Sequence, residues 1–117
     1  MLINNETGQT IVLEVKIADT KLSRTLGLMG KSEFHRKVLV IKNCSQVHTF
    51  FMRFPIDILF VSEKGVVIHK VIGLKPWRVT KKVNHSSYVI EATSGSFTSQ
   101  INVGDKVSFQ KSEEKTW

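Results

Sequence analysis

Residues 48–60 form an apolar, aromatic run that encloses three ionisable side chains, His48, Arg53 and Asp57. Aromatic and β-branched residues favour extended strands. Pro55 interrupts the run, because proline cannot donate a hydrogen bond to a sheet. An ionised group that is buried without a partner is strongly destabilising. We therefore expect two extended pieces around a bend, with the ionisable groups in either a satisfied structural network or a binding site.

The rest of the hydrophobic pattern is also typical of β-strands. Residues 11–17 have the period of a half-exposed strand, with apolar side chains on one face and Glu14 and Lys16 on the other. The sequence Glu63-Lys64-Gly65 predicts a tight hairpin turn. Further strands are predicted at residues 38–41, 47–54, 56–61, 66–72, 88–92 and 107–109.

Two segments depart from the strand pattern. Residues 20–29 place Leu22, Leu26 and Met29 at helical spacing. Residues 94–100 are compatible with a second helical turn. The predicted fold class is therefore mainly β: a compact barrel- or sandwich-like single domain with one short N-terminal helix and a second helical turn.

Length and composition indicate one domain without disulfides. The chain has 117 residues, enough for a hydrophobic core, and a single cysteine, Cys44. The predicted domain spans 1–117, with a core of about 11–109 and a frayed tail at 111–117. We find no signal peptide and no apolar run of membrane-spanning length. The expected location is cytoplasmic, or exported if a leader has been removed.

The leading functional hypothesis is a small binding module. At strand period, His48, Phe50 and Met52 share one face, and a bend at Pro55 could return Asp57 beside them. Such a concave polar and aromatic site would suit a small acidic or carbohydrate-like ligand, or a partner peptide. The candidate ligand-binding residues are Arg24, His48, Phe50, Met52, Asp57, Trp77 and Glu91.

Each polar candidate has a structural alternative. Asp57 could cap backbone amides near the bend, and His48 could form a local hydrogen bond. Glu91 shares its parity with Val89 rather than with the other apolar residues of its strand, which favours an outward-facing surface carboxylate. Arg24 suits a bidentate grip on a carboxylate or phosphate, and alternatively is a surface charge.

A second hypothesis is a hydrolase or lyase, with His48 as general base and Asp57 orienting it. The sequence contains no zinc-type cysteine pair, phosphate-binding glycine loop, nucleophile elbow or dinucleotide fingerprint. The four histidines are scattered along the chain. We predict neither a metal nor a cofactor, and whether the protein is an enzyme stays open.

A third hypothesis, ranked below ligand binding, is recognition of nucleic acid. The formal net charge is +7, and the positive charge is densest in the loop at residues 75–85. There Trp77 could stack on a base, and the alternative is a solvated basic loop. The candidate phosphate contacts are Lys75, Arg78, Lys81 and Lys82.

Several spaced motifs agree in order with one known family. They are Gly27-Leu28-Met29 after Arg24, the run 48–60, Gly65-Val66-Val67, Val89-Ile90-Glu91, Gly95 and Gly104-Asp105. This set resembles the uncharacterised prokaryotic family called domain of unknown function 192 (DUF192), over residues 11–109.

The resemblance implies a compact β-rich domain found in bacteria and archaea, with no established activity. The family's recurring polar positions fall here on Arg24, Asp57, Glu91 and Asp105. The simplest arrangement that the resemblance implies is Arg24 clamped between Asp57 and Glu91, either as a ligand site or as a structural network.

Overall fold

The computed structural model describes residues 2–12, 14–18, 37–50, 52, 54–95 and 100–109. Every regular element within these residues is a β-strand. The strands are β1 (Leu2–Asn4), β2 (Gln9–Val12), β3 (Glu14–Ala18), β4 (Lys37–Lys42), β5 (Ile56–Val61), β6 (Val67–Leu74), β7 (Tyr88–Thr93) and β8 (Val107–Phe109).

The strands form one large and one small sheet. The three-stranded sheet has the order β2-β1-β8, and the five-stranded sheet has the order β3-β4-β7-β5-β6. In the larger sheet β3 and β4 are parallel, whereas the other neighbours are antiparallel. The alternating run at 11–17 therefore contributes to both sheets, because β2 and β3 belong to different ones.

The five-stranded sheet lies between two hydrophobic layers. One face packs beneath the chain segment that follows β4; its cluster includes Leu39, Ile41, Val47, Met52, Phe54, Ile58, Phe60, Val83 and Val89. The other face packs against the small sheet; its cluster includes Leu2, Val15, Val38, Val40, Leu59, Val61, Ile90, Ala92 and Val107. Strand β5 is buried along its whole length for this reason, which explains the continuous apolar run in its sequence.

The fold-class prediction needs a correction. The described residues contain two β-sheets and no helix, so the prediction of a β domain with an N-terminal helix is wrong for this part of the chain. The predicted helix at 20–29 lies outside the described residues, as does most of the predicted helical turn at 94–100. A few apolar side chains at helical spacing are a weak signal, because short helices depend on tertiary packing.

Within the described residues, no helix is long and apolar enough to cross a membrane.

The predicted strand at 47–54 is also wrong, whereas the hairpin at 63–65 is confirmed. Among the described residues of the first segment, only His48 forms a β-bridge, to Val79. The chain then turns, with the Met52 amide donating to the Thr49 carbonyl at 3.2 Å. Val47, Met52 and Phe54 pack on the sheet face instead of forming a strand of the sheet. In the hairpin, β5 and β6 pair antiparallel, and the Gly65 amide donates to the Ser62 carbonyl at 2.9 Å.

Candidate functional site

Two segments pair above one face of the large sheet and form what we call the ribbon, residues 45–50 and 75–83. The Val83 amide donates to the Ser45 carbonyl at 2.8 Å, and the Thr80 amide donates to the Val47 carbonyl at 2.9 Å. His48 and Val79 form a bridge between the two segments. The ribbon thus holds a segment from before β5 against the loop that follows β6.

The ribbon has an apolar inner side that anchors it to the core. Val47 and Val83 are 6% and 8% exposed and belong to the hydrophobic cluster on that face of the large sheet. Thr49 and Thr80 are also buried, at 0% and 8% exposure. Along residues 47–50 burial therefore alternates, which places His48 and Phe50 on the outer side.

The outer side carries a column of stacked rings, His48, Phe50 and Trp77, which we call the aromatic column. The ring centroids of His48 and Phe50 are 4.8 Å apart, with 30° between the ring planes. Those of Phe50 and Trp77 are 5.9 Å apart, with 28° between the planes. These spacings leave no gap for another ring inside the column. A further planar group would therefore stack outside the column, and Trp77, at 56% exposure, is more exposed than Phe50, at 37%.

Large apolar side chains are unusually exposed on this surface. Phe50 is 37% exposed and Val79 is 52% exposed, in addition to Trp77. Burial of such side chains is the main favourable term in folding, so this exposure contributes little to stability. Contiguous exposed apolar groups rimmed by polar ones commonly mark binding surfaces.

The electrostatic surroundings of the aromatic column are positive. Lys75, Arg78, Lys81 and Lys82 are all exposed on the same loop. The sequence contains no aspartate or glutamate in residues 43–56 or 64–90, which include the entire ribbon. The loop cations are therefore not neutralised by carboxylates of these segments, and the surface favours an anionic ligand.

The field of this loop also acts on a neighbouring histidine of β6. His69 packs on Phe60 with ring centroids 5.6 Å apart. Burial, and secondarily the positive charge of Lys81, lower the pKa of His69. His69 is accordingly neutral at physiological pH, and the permanent charges of lysine and arginine dominate this surface.

Asp57 lies on β5 and binds backbone amides. Its side chain is fully buried. One carboxylate oxygen, Oδ1, accepts a hydrogen bond from the Gly73 amide at 2.8 Å, and Oδ2 accepts one from the Gly95 amide at 2.7 Å. Gly73 lies on β6 and Gly95 follows β7, which are the two neighbours of β5. Asp57 therefore joins the ends of both neighbouring strands.

Glu91 lies on the opposite face of the same sheet. It pairs with Ile58, whereas Asp57 pairs with Ala92; Ile58 and Ala92 belong to the clusters on opposite faces. Glu91 is only 6% exposed, so the outward position inferred from its parity is wrong. The error arose because Val89, which shares that parity, is itself buried in a sheet covered on both faces. Burial raises the pKa of Glu91 to about 8.

The structure brings together some of the predicted site residues and separates others. His48, Phe50 and Trp77 form the aromatic column, whereas Met52 is buried in the core below the ribbon. Asp57 and Glu91 lie on opposite faces of the sheet, and Arg24 lies outside the described residues.

His48 and Asp57 do not form the hydrogen-bonded pair that the general-base hypothesis requires. The ring nitrogen Nδ1 of His48 accepts a hydrogen bond from the Phe50 amide at 3.3 Å, while both Asp57 oxygens bind backbone amides. Within the described residues, no three or more His, Cys, Asp or Glu side chains are grouped so that they could hold a metal ion.

Sequence reasoning missed two residues of the ribbon, Thr49 and Val79. Thr49 is fully buried at the centre of the ribbon, and Val79 extends the exposed apolar strip beside His48. The strand period of residues 47–50 could have placed Thr49 on the face opposite His48 and Phe50. Nothing local indicated Val79, because its partner lies far away in the sequence.

Comparisons with known proteins identify the family. The DUF192 family model, described as Uncharacterized ACR, matches residues 2–109. A UPF0127 protein of Pyrococcus horikoshii is 32% identical over 112 residues, which cover 92% of this chain and 96% of that protein.

Two crystal structures are similar in fold at 20% sequence identity. A protein of unknown function from Novosphingobium aromaticivorans has a TM-score of 0.73, and the match covers 81% of this chain and 74% of that protein. A proposed transcription regulator from Sinorhizobium meliloti has a TM-score of 0.76, with coverages of 92% and 88%. At this identity the likeness concerns the fold alone. The match to the family model spans almost the whole chain, and the chain therefore belongs to DUF192, an uncharacterised family with archaeal members.

Proposed function

We propose that this protein is a binding module for single-stranded nucleic acid and that the outer side of the ribbon is its binding surface. The observation that carries the proposal is the aromatic column, whose exposed Trp77 lies on the same loop as four exposed cations. Proteins that bind single strands combine these two elements, because bases stack on aromatic rings while lysine and arginine contact the phosphates.

The distribution of carboxylates supports a polyanion over a small acidic ligand in an enclosed site. Asp57 is engaged with two backbone amides, and Glu91 is buried within the sheet at 6% exposure. Neither carboxylate lies on the outer side of the ribbon, where it would repel phosphates. An open platform also suits a ligand that contacts several cations along its length, whereas a small ligand gains affinity mainly from enclosure.

The proposal makes quantitative expectations about salt. Each phosphate contact with a single strand contributes roughly −0.7 to the slope of log K against log salt concentration. Four contacts would give a slope of roughly −3. Stacking of one base on Trp77 would add about 1–3 kcal/mol of binding free energy.

The test is fluorescence anisotropy with labelled oligo(dT) and oligo(rU), titrated at several salt concentrations. Replacing Lys81 and Lys82 with serine should weaken binding at low salt and make the slope shallower by about 1.4, since two phosphate contacts are lost. The matched control replaces Lys64 and Lys106 with serine. Both are also exposed, but Lys64 lies in the β5–β6 hairpin and Lys106 lies beside it. That control variant should retain the wild-type slope.

Three outcomes would contradict the proposal. The first is no binding of either oligonucleotide at low salt, and the second is equal weakening by the two double substitutions. The third is binding of a mononucleotide or organic acid as tight as that of the oligomers, which would indicate the small acidic ligand.

A further inference from the structure

The backbone that presents Trp77 has an unusual conformation. Trp77 has a φ of 64°, in the left-handed region, and it follows Pro76. Proline at the second position and a positive φ at the third are the pattern of a type II turn, whose third position normally holds glycine. A tryptophan is strained there, because its Cβ crowds the backbone. The strain is retained in a residue whose ring is mostly exposed.

One buried hydroxyl group spans this turn. The Thr49 hydroxyl Oγ1 donates to the Lys75 carbonyl at 2.6 Å and accepts from the Arg78 amide at 2.9 Å. Lys75 and Arg78 are the first and last residues of the turn, whose carbonyl and amide often bond directly to each other in β-turns. The hydroxyl therefore lies between the two groups and bridges them.

The main chain of Thr49 holds the same turn from the same side. Its amide donates to the Arg78 carbonyl at 2.8 Å, and its carbonyl accepts from the Trp77 amide at 3.0 Å. Thr49 is fully buried, so these bonds are shielded from competition with water. Every residue from Lys75 to Arg78 except proline, which has no amide to donate, is thus bonded to one threonine.

We propose that Thr49 is a positioning residue, whose hydroxyl holds the strained turn so that the exposed Trp77 ring is fixed in the aromatic column before the ligand binds. This inference rests on the proposed function. Fixing the ring in advance removes the ordering that binding would otherwise require, which strengthens affinity without an added contact. Thr49 itself does not touch the ligand.

The experiment compares Thr49→Val with Thr49→Ser. Valine has nearly the shape of threonine but lacks the hydroxyl group, whereas serine keeps it. Both variants are made in a Trp117→Phe background, in which Trp77 is the sole tryptophan. Near-ultraviolet circular dichroism and the time-resolved fluorescence anisotropy of Trp77 report how rigidly the ring is held, independently of any ligand. Oligonucleotide affinity is measured in parallel on protein shown to be folded.

We expect Thr49→Val to reduce the near-ultraviolet signal of Trp77, to increase the mobility of the ring and to weaken oligonucleotide binding at least fivefold. Thr49→Ser should retain the wild-type signal and an affinity within about twofold of wild type, since the hydroxyl bridge is kept. A Thr49→Val protein that is folded and has an unchanged Trp77 signal would overturn the proposal. So would a loss of signal in Thr49→Ser equal to that in Thr49→Val.

A second variant covers the case in which Thr49→Val does not fold. Pro76→Ala frees the backbone of the same turn without altering the buried hydroxyl. It should increase the mobility of Trp77 and weaken binding by a smaller factor; an unchanged ring mobility would count against a turn held for positioning. If the wild-type protein binds no oligonucleotide, the proposed function fails, while the Trp77 signals still test whether Thr49 positions the ring.

Discussion

The large sheet and the ribbon both depart from the usual pattern of buried apolar and exposed charged side chains, but in opposite ways. The sheet buries two carboxylates, Asp57 and Glu91, whereas the ribbon exposes the apolar side chains of Phe50, Trp77 and Val79. A buried polar group must be compensated, and Asp57 is compensated by two amide hydrogen bonds. An exposed apolar group gains little from folding, so its placement is better explained by binding. The comparison separates residues that hold the fold from residues available for function.

The largest effect is expected at Asp57. Asp57→Ala removes two hydrogen bonds to a charged group, those donated by the Gly73 and Gly95 amides, and it should lower the free energy of unfolding by roughly 3–5 kcal/mol. Urea denaturation measures this loss. Oligonucleotide affinity of the folded fraction should be unchanged, because Asp57 lies inside the sheet rather than on the ribbon. A small loss of stability combined with a loss of binding would instead place Asp57 in a ligand site.

The next effect concerns the pH dependence caused by Glu91. Its pKa is about 8 in the folded protein, against an ordinary value of 4.5. Between these values the unfolded chain ionises at Glu91 while the folded protein stays protonated. The stability due to this group is therefore fully present below pH 4.5 and is lost as the pH rises towards 8. Urea denaturation of wild type and Glu91→Gln across this range measures the effect.

We expect Glu91→Gln to match wild type near pH 4.5 and to exceed it by roughly 2–4 kcal/mol at pH 8. This comparison also tests the clamp that the family resemblance implies. If Arg24 binds an ionised Glu91, the same substitution should destabilise the protein at neutral pH, because it would leave the arginine without its counter-charge. The sign of the difference between the two proteins therefore decides between a neutral, isolated carboxyl group and an ion pair.

The smallest effect on stability, with a large effect on binding, is expected at Trp77. Trp77→Gly relieves the strain of a positive φ but gives the unfolded chain more freedom, so the stability should change by no more than about 1 kcal/mol. Affinity for oligo(dT) should fall by a factor equivalent to about 1–3 kcal/mol, because a stacking platform is removed. Anisotropy titration and urea denaturation measure the two quantities.

Val103→Gly is the matched control for Trp77→Gly, because Val103 is similarly exposed at 58% but lies away from the ribbon. It should leave binding intact. A Trp77→Gly protein that loses several kcal/mol of stability would show that the ring supports the fold, and the contrast between sheet and ribbon would then fail at this residue.

Much of the strand content could be predicted from local pattern. The strands at 37–42, 56–61, 88–93 and 107–109 coincide with apolar or alternating runs, since a strand repeats every two residues and its pattern is visible in a short window. The same local pattern wrongly predicted a strand at 47–54. This segment is as apolar as a strand, but its described members Val47, Met52 and Phe54 pack on the face of the sheet. Composition does not distinguish a segment that covers a sheet from one that pairs within it.

The candidate site was predictable only in part. Strand periodicity placed His48 and Phe50 on one face, and the cluster of positive charge was visible in residues 75–82. The same periodicity misplaced Glu91, because parity assigns a side chain to a face without showing whether that face is covered. In this sheet both faces are.

The sequence by itself determined the β-rich character, the hairpin at 63–65, the excess of positive charge and the family. These properties depend on composition, on short periodic patterns and on ordered motifs, all of which are local. Only the tertiary structure decided that the segment after β4 pairs with the loop after β6, which brings Phe50 to Trp77 and Thr49 to Lys75. It also decided that Asp57 and Glu91 face opposite layers of the core. The physical reason is that pairing between distant segments depends on how they pack together, and no short window of sequence records that packing.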